Sequence, residues 1–502
     1  FPYTTLFRSG NTADDGGGLY NSSSGIPVLT NVTITGNRAT AGGGILNTAN
    51  GSLVLENSII HGNAASTGDQ IANVERFTVD ADTITVTTTL IEGGISGPGV
   101  VNAPPASIVD GGGNLSGDPL FTSPISATDA PTTTGNFQVQ AGSPVIDAGD
   151  NAANSSATDL AGNLRIVDGD GDSTATIDLG VYEYRPAQTF YVDGGATGNN
   201  DGSSWADAYT DLQVALQSSD VISGDMIWVT TGVYTPGTTR ADTFALPNGV
   251  QIYGGFSPGD TQMSDRDPAP ATNGTVLSGD LNGDDTANFG NRGDNSYHVV
   301  VGSGTDATAM LDGFTIRGGT ANGSAPDNNG GGIYNDSGSP TLQNLIIEDN
   351  QAANGGGMYN ENSSNPTLTN VTISDNKIIP FGNAGGGMNN YNDSSPTLTN
   401  VIISGNQALT DGGGIFNGED SNPILTNVAI VGNVVSSGGA GLHNERSDPT
   451  LTNVTISGNR FDSGFLSAGG IVNEESNVLI QNSVIWGNNT QVGGISSVVT
   501  YT

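Results

Sequence analysis

The amino-acid sequence predicts an all-β chain wound as a right-handed parallel β-helix, a solenoid of about three strands per coil, and three observations lead there. First, a unit of the form Gly-Gly-Gly-Ile-x-Asn, a short polar linker and Pro-Thr-Leu-Thr-Asn-Val-Thr-Ile-Ser-Gly-Asn recurs in eight copies. Its aliphatic falls at Leu19, Ile45, Ile333, Met358, Met388, Ile415, Leu442 and Ile471. Second, three asparagines stand in every copy: one set runs from Asn21 and Asn47 to Asn473, the next from Asn31 and Asn57 to Asn482, the last from Asn37 and Asn63 to Asn488. Third, apolar and polar residues alternate around a bend residue through Leu368, Thr369, Asn370, Val371, Thr372, Ile373 and Ser374, which is the period of short strands with one buried face and not that of a helix.

The copies step by 25 to 30 residues. A unit so short cannot bury its own Leu, Val and Ile, so copies must stack in parallel, strand above strand at about 4.8 Å, and crossover handedness favours the right-handed winding. For residues 311–490 this predicts three short parallel strands per coil, with Ile347, Ile373, Ile403, Ile430, Ile456 and Ile485 stacked inside. Asparagine suits the corners because it tolerates left-handed backbone angles, and stacked amides can bond along the axis. On this reading Asn400 combines a special backbone with buried amide bonds, so Asn400→Leu is expected to cost more than Thr399→Val.

In chain order, residues 1–9 resemble a translated sequencing-library adapter and are set aside. Residues 10–186 read as the C-terminal coils and closing segment of a first β-helix unit, and residues 187–310 as the N-terminal cap and first irregular coils of a second. Within the latter, a short amphipathic helix near 207–218 is expected to cap the open apolar end, with Leu212, Ala215 and Leu216 on one face and Asp207 or Thr210 as N-cap. Residues 311–502 are the regular coils of the second unit. The two tandem units are expected to be incomplete, the end of one followed by the beginning of the next.

Composition narrows the function. The chain has 502 residues with 12 Lys+Arg against 50 Asp+Glu, a net charge of −38, and its one lysine is Lys377. That leaves no basic patch to hold nucleic acid. No apolar run is long enough for a membrane helix, and with no cysteine there are neither disulfides nor thiolate metal sites.

Several segments carry a family resemblance: Tyr191, Val192 and Asp193 with Asp201 to Ala206, then the Gly-Gly-Gly-Ile-x-Asn coils, then the closing motifs. These last are Asp118 to Phe121, Gly142 to Asp150, Asp159 to Ile166 and Asp178 to Glu183. The chain resembles bacterial right-handed parallel β-helix surface proteins with a choice-of-anchor Q domain, adhesin-like and pectin-lyase-like in architecture. The resemblance implies an exported, cell-surface protein whose sorting segment lies outside this sequence. It identifies a scaffold and not a reaction.

Some relatives of this fold cleave acidic polysaccharides, but the Trp-Ile-Asp-His and Arg-x-Pro-x-x-Arg runs of the lyases and the Gly-His-Gly and Arg-Ile-Lys motifs of the hydrolases are missing, and a charge of −38 repels polyanions. His61, His298 and His443 read as surface or packing residues rather than general bases. The best metal constellation is Asp168, Asp170 and Asp172 with Asp178 further on, alternate acids in a glycine-rich turn that can face one Ca²⁺; Leu179 occupies the position where an EF-hand has its bidentate Glu. Asp280, Asn282 and Asp284 form a weaker one, and for both the plainer alternative is that Asp and Gly form turns. A line of acids at Asp336, Glu361, Glu419, Glu445 and Glu474 is expected along one edge, splayed into solvent or bridged by cations. The expectation is a non-enzymatic extracellular structural solenoid, adhesin-like and stabilised by Ca²⁺, with surface glycans or other cell-surface components as partners. The alternative is a carbohydrate-active β-helix that binds or cleaves polysaccharide.

Overall fold

A computed structural model of the chain describes residues 3–4, 7–22, 26–48, 51–74, 83–380, 382, 384–462, 468–495 and 498–501, and divides into two compact units, Phe1–Pro186 and Ala187–Thr502. Both are right-handed parallel β-helices.

In the second unit the coils build four parallel sheets, here lettered A to D. Sheet A has eleven strands from Thr189–Val192 to Val498–Tyr501, sheet B nine from Gly232–Tyr234 to Val484–Trp486, and sheet C nine from Phe244–Ala245 to Val492–Ile495. Register is kept residue for residue: Leu342, Leu368, Leu398, Leu425 and Leu451 pair along sheet A, and Ile347, Ile373, Ile403, Ile430, Ile456 and Ile485 along sheet B. The first five isoleucines are fully buried, while Ile485 is partly covered at the edge of the core. Leu, Val and Ile from successive coils thereby form one continuous apolar core.

The expectation of three strands per coil is short by one over much of this unit. Sheet D adds six two-residue strands from Thr320–Ala321 to Arg460–Phe461. All but the first, which follows Gly319, come directly after the third asparagine of their coil, and Ile378, Ala408, Val435 and Ala440 pack there in a small cluster of their own. Two residues are too few to show a period in sequence, which is why this strand is silent there.

The capping helix is α1, Leu212–Gln217, shorter than the expected 207–218, and its N-cap is Asp211, whose side chain accepts from the Gln213 N–H at 2.8 Å. The candidates Asp207 and Thr210 are occupied in the preceding loop: Asp207 accepts from Asn199 N–H at 2.8 Å and Ser204 Oγ at 3.0 Å, and the Thr210 N–H bonds Asn200 at 2.8 Å. Leu212 and Ala215 join Phe190, Val192 and Ile227 in the core, so α1 closes its open end. A second helix, α2, spans only Pro270–Asn273 and stops at Gly274, φ 68°.

The glycine triplets have a steric cause, seen at Gly355, Gly356 and Gly357. Gly355 has φ 62°; a Cβ on Gly356 would lie 2.6 Å from the Gly386 carbonyl, and one on Gly357 2.6 Å from the Gly387 carbonyl and 2.9 Å from the Asn376 amide. The triplet thus lets each coil approach the next and its ladder asparagine.

The three asparagine sets differ. In the last set each amide is sealed: Asn376 Oδ1 accepts from both N and Nδ2 of Asn350, while its Nδ2 donates to Ile347 O at 2.8 Å and Asn406 Oδ1 at 3.0 Å. The first set is equally buried but lies within strands, and from Asn335 to Asn444 each Nδ2 donates to the next Oδ1, as from Asn360 to Asn390 and Asn390 to Asn417 at 2.8 Å. Only the middle set takes left-handed angles, φ 57° at Asn400, and from Asn370 to Asn453 in the second unit it is exposed. The buried role expected for Asn400 belongs instead to Asn390 and Asn406, because the corner needed for a left-handed residue turns its side chain outward.

In the first unit, strands of three sheets pair in parallel through Val28–Thr30, Ser52–Glu56 and Thr83–Thr87; Leu19–Asn21, Ile45–Asn47 and Ile71–Val74; and Thr33–Thr35, Ile59–His61 and Leu90–Ile91. Phe7–Ser9, set aside in the sequence reading, pairs in parallel with Thr33–Thr35. The segment from Asp118 onward folds back over the last of these sheets, burying Phe121, Phe137, Val145 and Leu179 against Ile59 and Leu90. Asn57 fastens it, donating to Asp150 O at 2.9 Å and accepting from Asp150 N–H at 2.8 Å.

Candidate functional site

The run Asp168 to Asp172 forms the loop of a small antiparallel hairpin between Ile166–Val167 and Thr176–Ile177. Asp168 accepts from the N–H groups of Gly171 at 2.7 Å and Ser173 at 2.8 Å, with Gly171 at φ 81° making the tight turn. Asp168 and Asp170 come together with Asp147, one carboxylate oxygen from each lying within 4.8 Å of the others. Asp172 is not in this group; it is exposed and accepts from Thr174 N–H at 2.7 Å. Asp147 was missed because it lies far back in the chain, in a stretch read only as a closing motif. Its Oδ2 accepts from Gly169 N–H at 2.9 Å and Asp170 N–H at 2.6 Å, and its Oδ1 is enclosed without a partner. Burial, with the Asp170 charge adding to it, raises the Asp147 carboxyl above its ordinary value.

Asp178 sits one hydrogen bond behind, in a sealed polar network and not at the loop. It accepts from Asp147 N–H at 2.7 Å and Tyr184 N–H at 2.6 Å. Around it lie Arg165, Glu183 and Asp159, all nearly or fully buried, with Arg165 3.7 Å from Glu183. One guanidinium faces three carboxylates in a low-dielectric setting, and burial raises Asp178 to about 7 and Glu183 to about 9. At neutral pH the Glu183 carboxyl therefore keeps its proton.

In the second unit Asp280 and Asp284 approach Asp294, again within 4.8 Å. Asp280 accepts from the N–H groups of Gly283, Asp284 and Asp285 at 2.8, 3.1 and 3.0 Å. Asn282 contributes its backbone N–H to Asp294 at 3.0 Å, so the third carboxylate of this loop is Asp294. Both groups offer only oxygen donors, the set preferred by a hard cation such as Ca²⁺ over transition metals.

Of the histidines, His61 is half-buried edge-on to Phe121, and His298 is stacked on Tyr334 at 4.9 Å with burial lowering its pKa. His443 is buried beside Phe416 with Nδ1 2.8 Å from Asp411 and Nε2 3.8 Å from Glu474, partners supplied by neighbouring coils that no local motif announces. The acidic edge is real for Asp336, Glu361, Glu445 and Glu474, but the register partner of Glu445 in the preceding coil is Gly418 and not Glu419. Glu419 instead pairs with Arg446, which also lies 2.9 Å from Glu445, so the edge is partly neutralised by the chain itself.

No protein-family model matches the chain, and no curated protein is significantly similar to it.

Proposed function

We propose that the chain is a non-enzymatic structural solenoid of the extracellular or cell-surface, adhesin-like kind, related to choice-of-anchor Q proteins and steadied by Ca²⁺. The observation that supports this most is the placement of the asparagines: amides such as Asn376 and Asn406 make every bond to neighbouring coils, so the most regular polar groups of the chain hold coils in register and do not meet a ligand. The outer ranks of sheet A agree. Thr369, Thr399, Thr426 and Thr452 present uncharged hydroxyls in register, and Thr367 and Thr397 pair beside them before the exposed Ile424 interrupts that row, a surface suited to glycans or other neutral cell-surface components. Calcium is assigned to Asp147, Asp168 and Asp170, with Asp280, Asp284 and Asp294 as a second group. Antibody against the folded chain should label intact source cells, and surface proteolysis should abolish the signal; labelling only after permeabilisation would refute the surface role. Turnover of any polysaccharide by the purified chain would refute the non-enzymatic one.

A further inference from the structure

We infer that the outer face of sheet B around Asn482, Val484 and Trp486 is the seat of a closing segment of the same make as residues 118–184. The first unit shows such a seat filled, and the coil that bears it can be recognised again in the second. Asn57 and Asn482 hold φ 47° and φ 48°, and each is followed by a serine where the other six copies have Val or Leu. Ser58 Oγ accepts from Val32 N–H at 3.2 Å and donates to Glu56 O at 2.7 Å, while Ser483 Oγ accepts from Val454 N–H at 2.9 Å and donates to Gln481 O at 2.6 Å. The outer ranks agree too: Thr33 pairs with Ile59 and Thr35 with His61, as Thr455 pairs with Val484 and Ser457 with Trp486.

In the first unit the cover is fitted closely to this coil. Gly180 N–H donates to Asn57 O at 2.8 Å, and Val181 N–H donates to Thr33 Oγ1 at 3.1 Å. A Cβ on Gly180, φ 92°, would stand 2.6 Å from Thr33 Oγ1 and 2.7 Å from Ile59 Cδ1. Leu179 and Val145 pack in one cluster with Ile59, and Phe121 meets His61 edge-on. The Asn57 amide is taken up by the Asp150 peptide, and Asn31 Nδ2 donates to Asn154 Oδ1 at 2.9 Å. Beneath this cover Ile59 is 1% exposed.

The second unit presents the same groups to solvent. Val484 is 55% and Trp486 75% exposed, and Thr455 and Asn482 are exposed beside them. The outer amide ladder runs without a break from Asn453 back to Asn344, yet the Asn482 side chain makes no hydrogen bond among the described residues. A free amide next to an exposed indole and an exposed aliphatic is what Asn57, His61 and Ile59 would be without their cover. The occupant is therefore a polypeptide segment that offers one peptide group to Asn482, a glycine over Thr455 and Val484, and apolar side chains to Val484 and Trp486, reaching them from the same stack of coils. A second copy of this chain has no such segment to spare, since residues 118–184 cover its own first unit. The seat requires neither export nor calcium, and so stands apart from the surface role.

The test repeats the order of the first unit after Asn488, by exchanging residues 489–502 of the whole chain for residues 64–186. Trp486 is read by acrylamide quenching, as the difference between each chain and its Trp486→Phe version. Its quenching should fall at least about threefold in the extended chain as the indole leaves water. Gly180→Val in the appended copy should restore it through the clash at Thr455 and Val484, and so should Asn482→Gly, which keeps the left-handed corner and removes only the amide. Should the extended chain fail to fold, a free polypeptide of residues 118–186 titrated into the unaltered chain gives the reading: it should shield Trp486 and bind the Asn482→Gly chain at least about tenfold more weakly. Trp486 left equally open by both extension and polypeptide, or shielding that survives Gly180→Val and Asn482→Gly alike, would overturn the inference. So would shielding in the unaltered chain that vanishes on dilution, which would make a second copy the occupant.

Discussion

At the scale of single residues, the asparagines show how one letter serves two physical ends. Asn406 is fully buried: its Oδ1 accepts from Asn376 N and Nδ2, and its Nδ2 donates to Ile373 O and Asn433 Oδ1. Asn406→Leu strands several of these partners, at about 1–3 kcal/mol for each buried group left unpaired. Asn400→Leu removes only exposed amide bonds and leaves a branched residue at φ 57°, costing about 1–2 kcal/mol. Thr399→Val on the outer face should stay within about 0.5 kcal/mol of wild type. Denaturant midpoints should therefore fall in the order Thr399→Val, Asn400→Leu, Asn406→Leu, and a midpoint for Asn406→Leu at or above that of Asn400→Leu would contradict it. The repeat made all three asparagine positions legible. It could not tell which are buried, because that depends on what packs over each corner: Asn57, at the same kind of left-handed corner as Asn400, is fully buried beneath the closing segment.

Elements carry the next set of consequences, and the hairpin loop of the closing segment is the clearest. Melting temperature should rise with millimolar Ca²⁺, since binding to the folded state alone stabilises it in proportion to the logarithm of ligand concentration. Asp147→Asn and Asp168→Asn should blunt the rise and Asp172→Asn should not; a response lost in Asp172→Asn and kept in Asp147→Asn would place the cation elsewhere. The alternation of acids located the loop from sequence, but Asp147 is brought in by a tertiary contact, and spacing along the chain holds no record of it. The same limit hid Asp294 from the second loop and the carboxylates beside His443. The buried network behind the hairpin gives a pH dependence. Asp178 and Glu183 have folded values of about 7 and about 9 against ordinary values of 3.8 and 4.5, so folding holds protons that the unfolded chain releases. That stability is complete below about pH 4 and is lost as pH climbs through 7 and then 9. Glu183→Gln should flatten the upper part of this fall, seen as a smaller drop in melting temperature between neutral and alkaline pH; an undiminished drop would show that Glu183 is not the proton holder.

For the whole molecule, two compact units with separate cores should melt as separable transitions. Glu183→Gln should move one and Asn406→Leu the other; a single transition displaced by both would mean the units unfold as one. Here the sequence was most informative, because eight copies of one unit state the architecture repeatedly while a metal loop is written once. The parallel register has a mechanical corollary. Each coil takes up 25 to 30 residues of chain in the second block yet advances only about 4.8 Å along the stack, whereas the same residues drawn straight span roughly 90–100 Å. Peeling one coil from the end therefore lengthens the tether roughly twentyfold at that point while every coil behind it keeps its ladder. Pulled by its termini, the second unit should yield in serial steps of about 90 Å, a length reserve that lets a loaded chain give way one turn at a time and rewind when the load is gone.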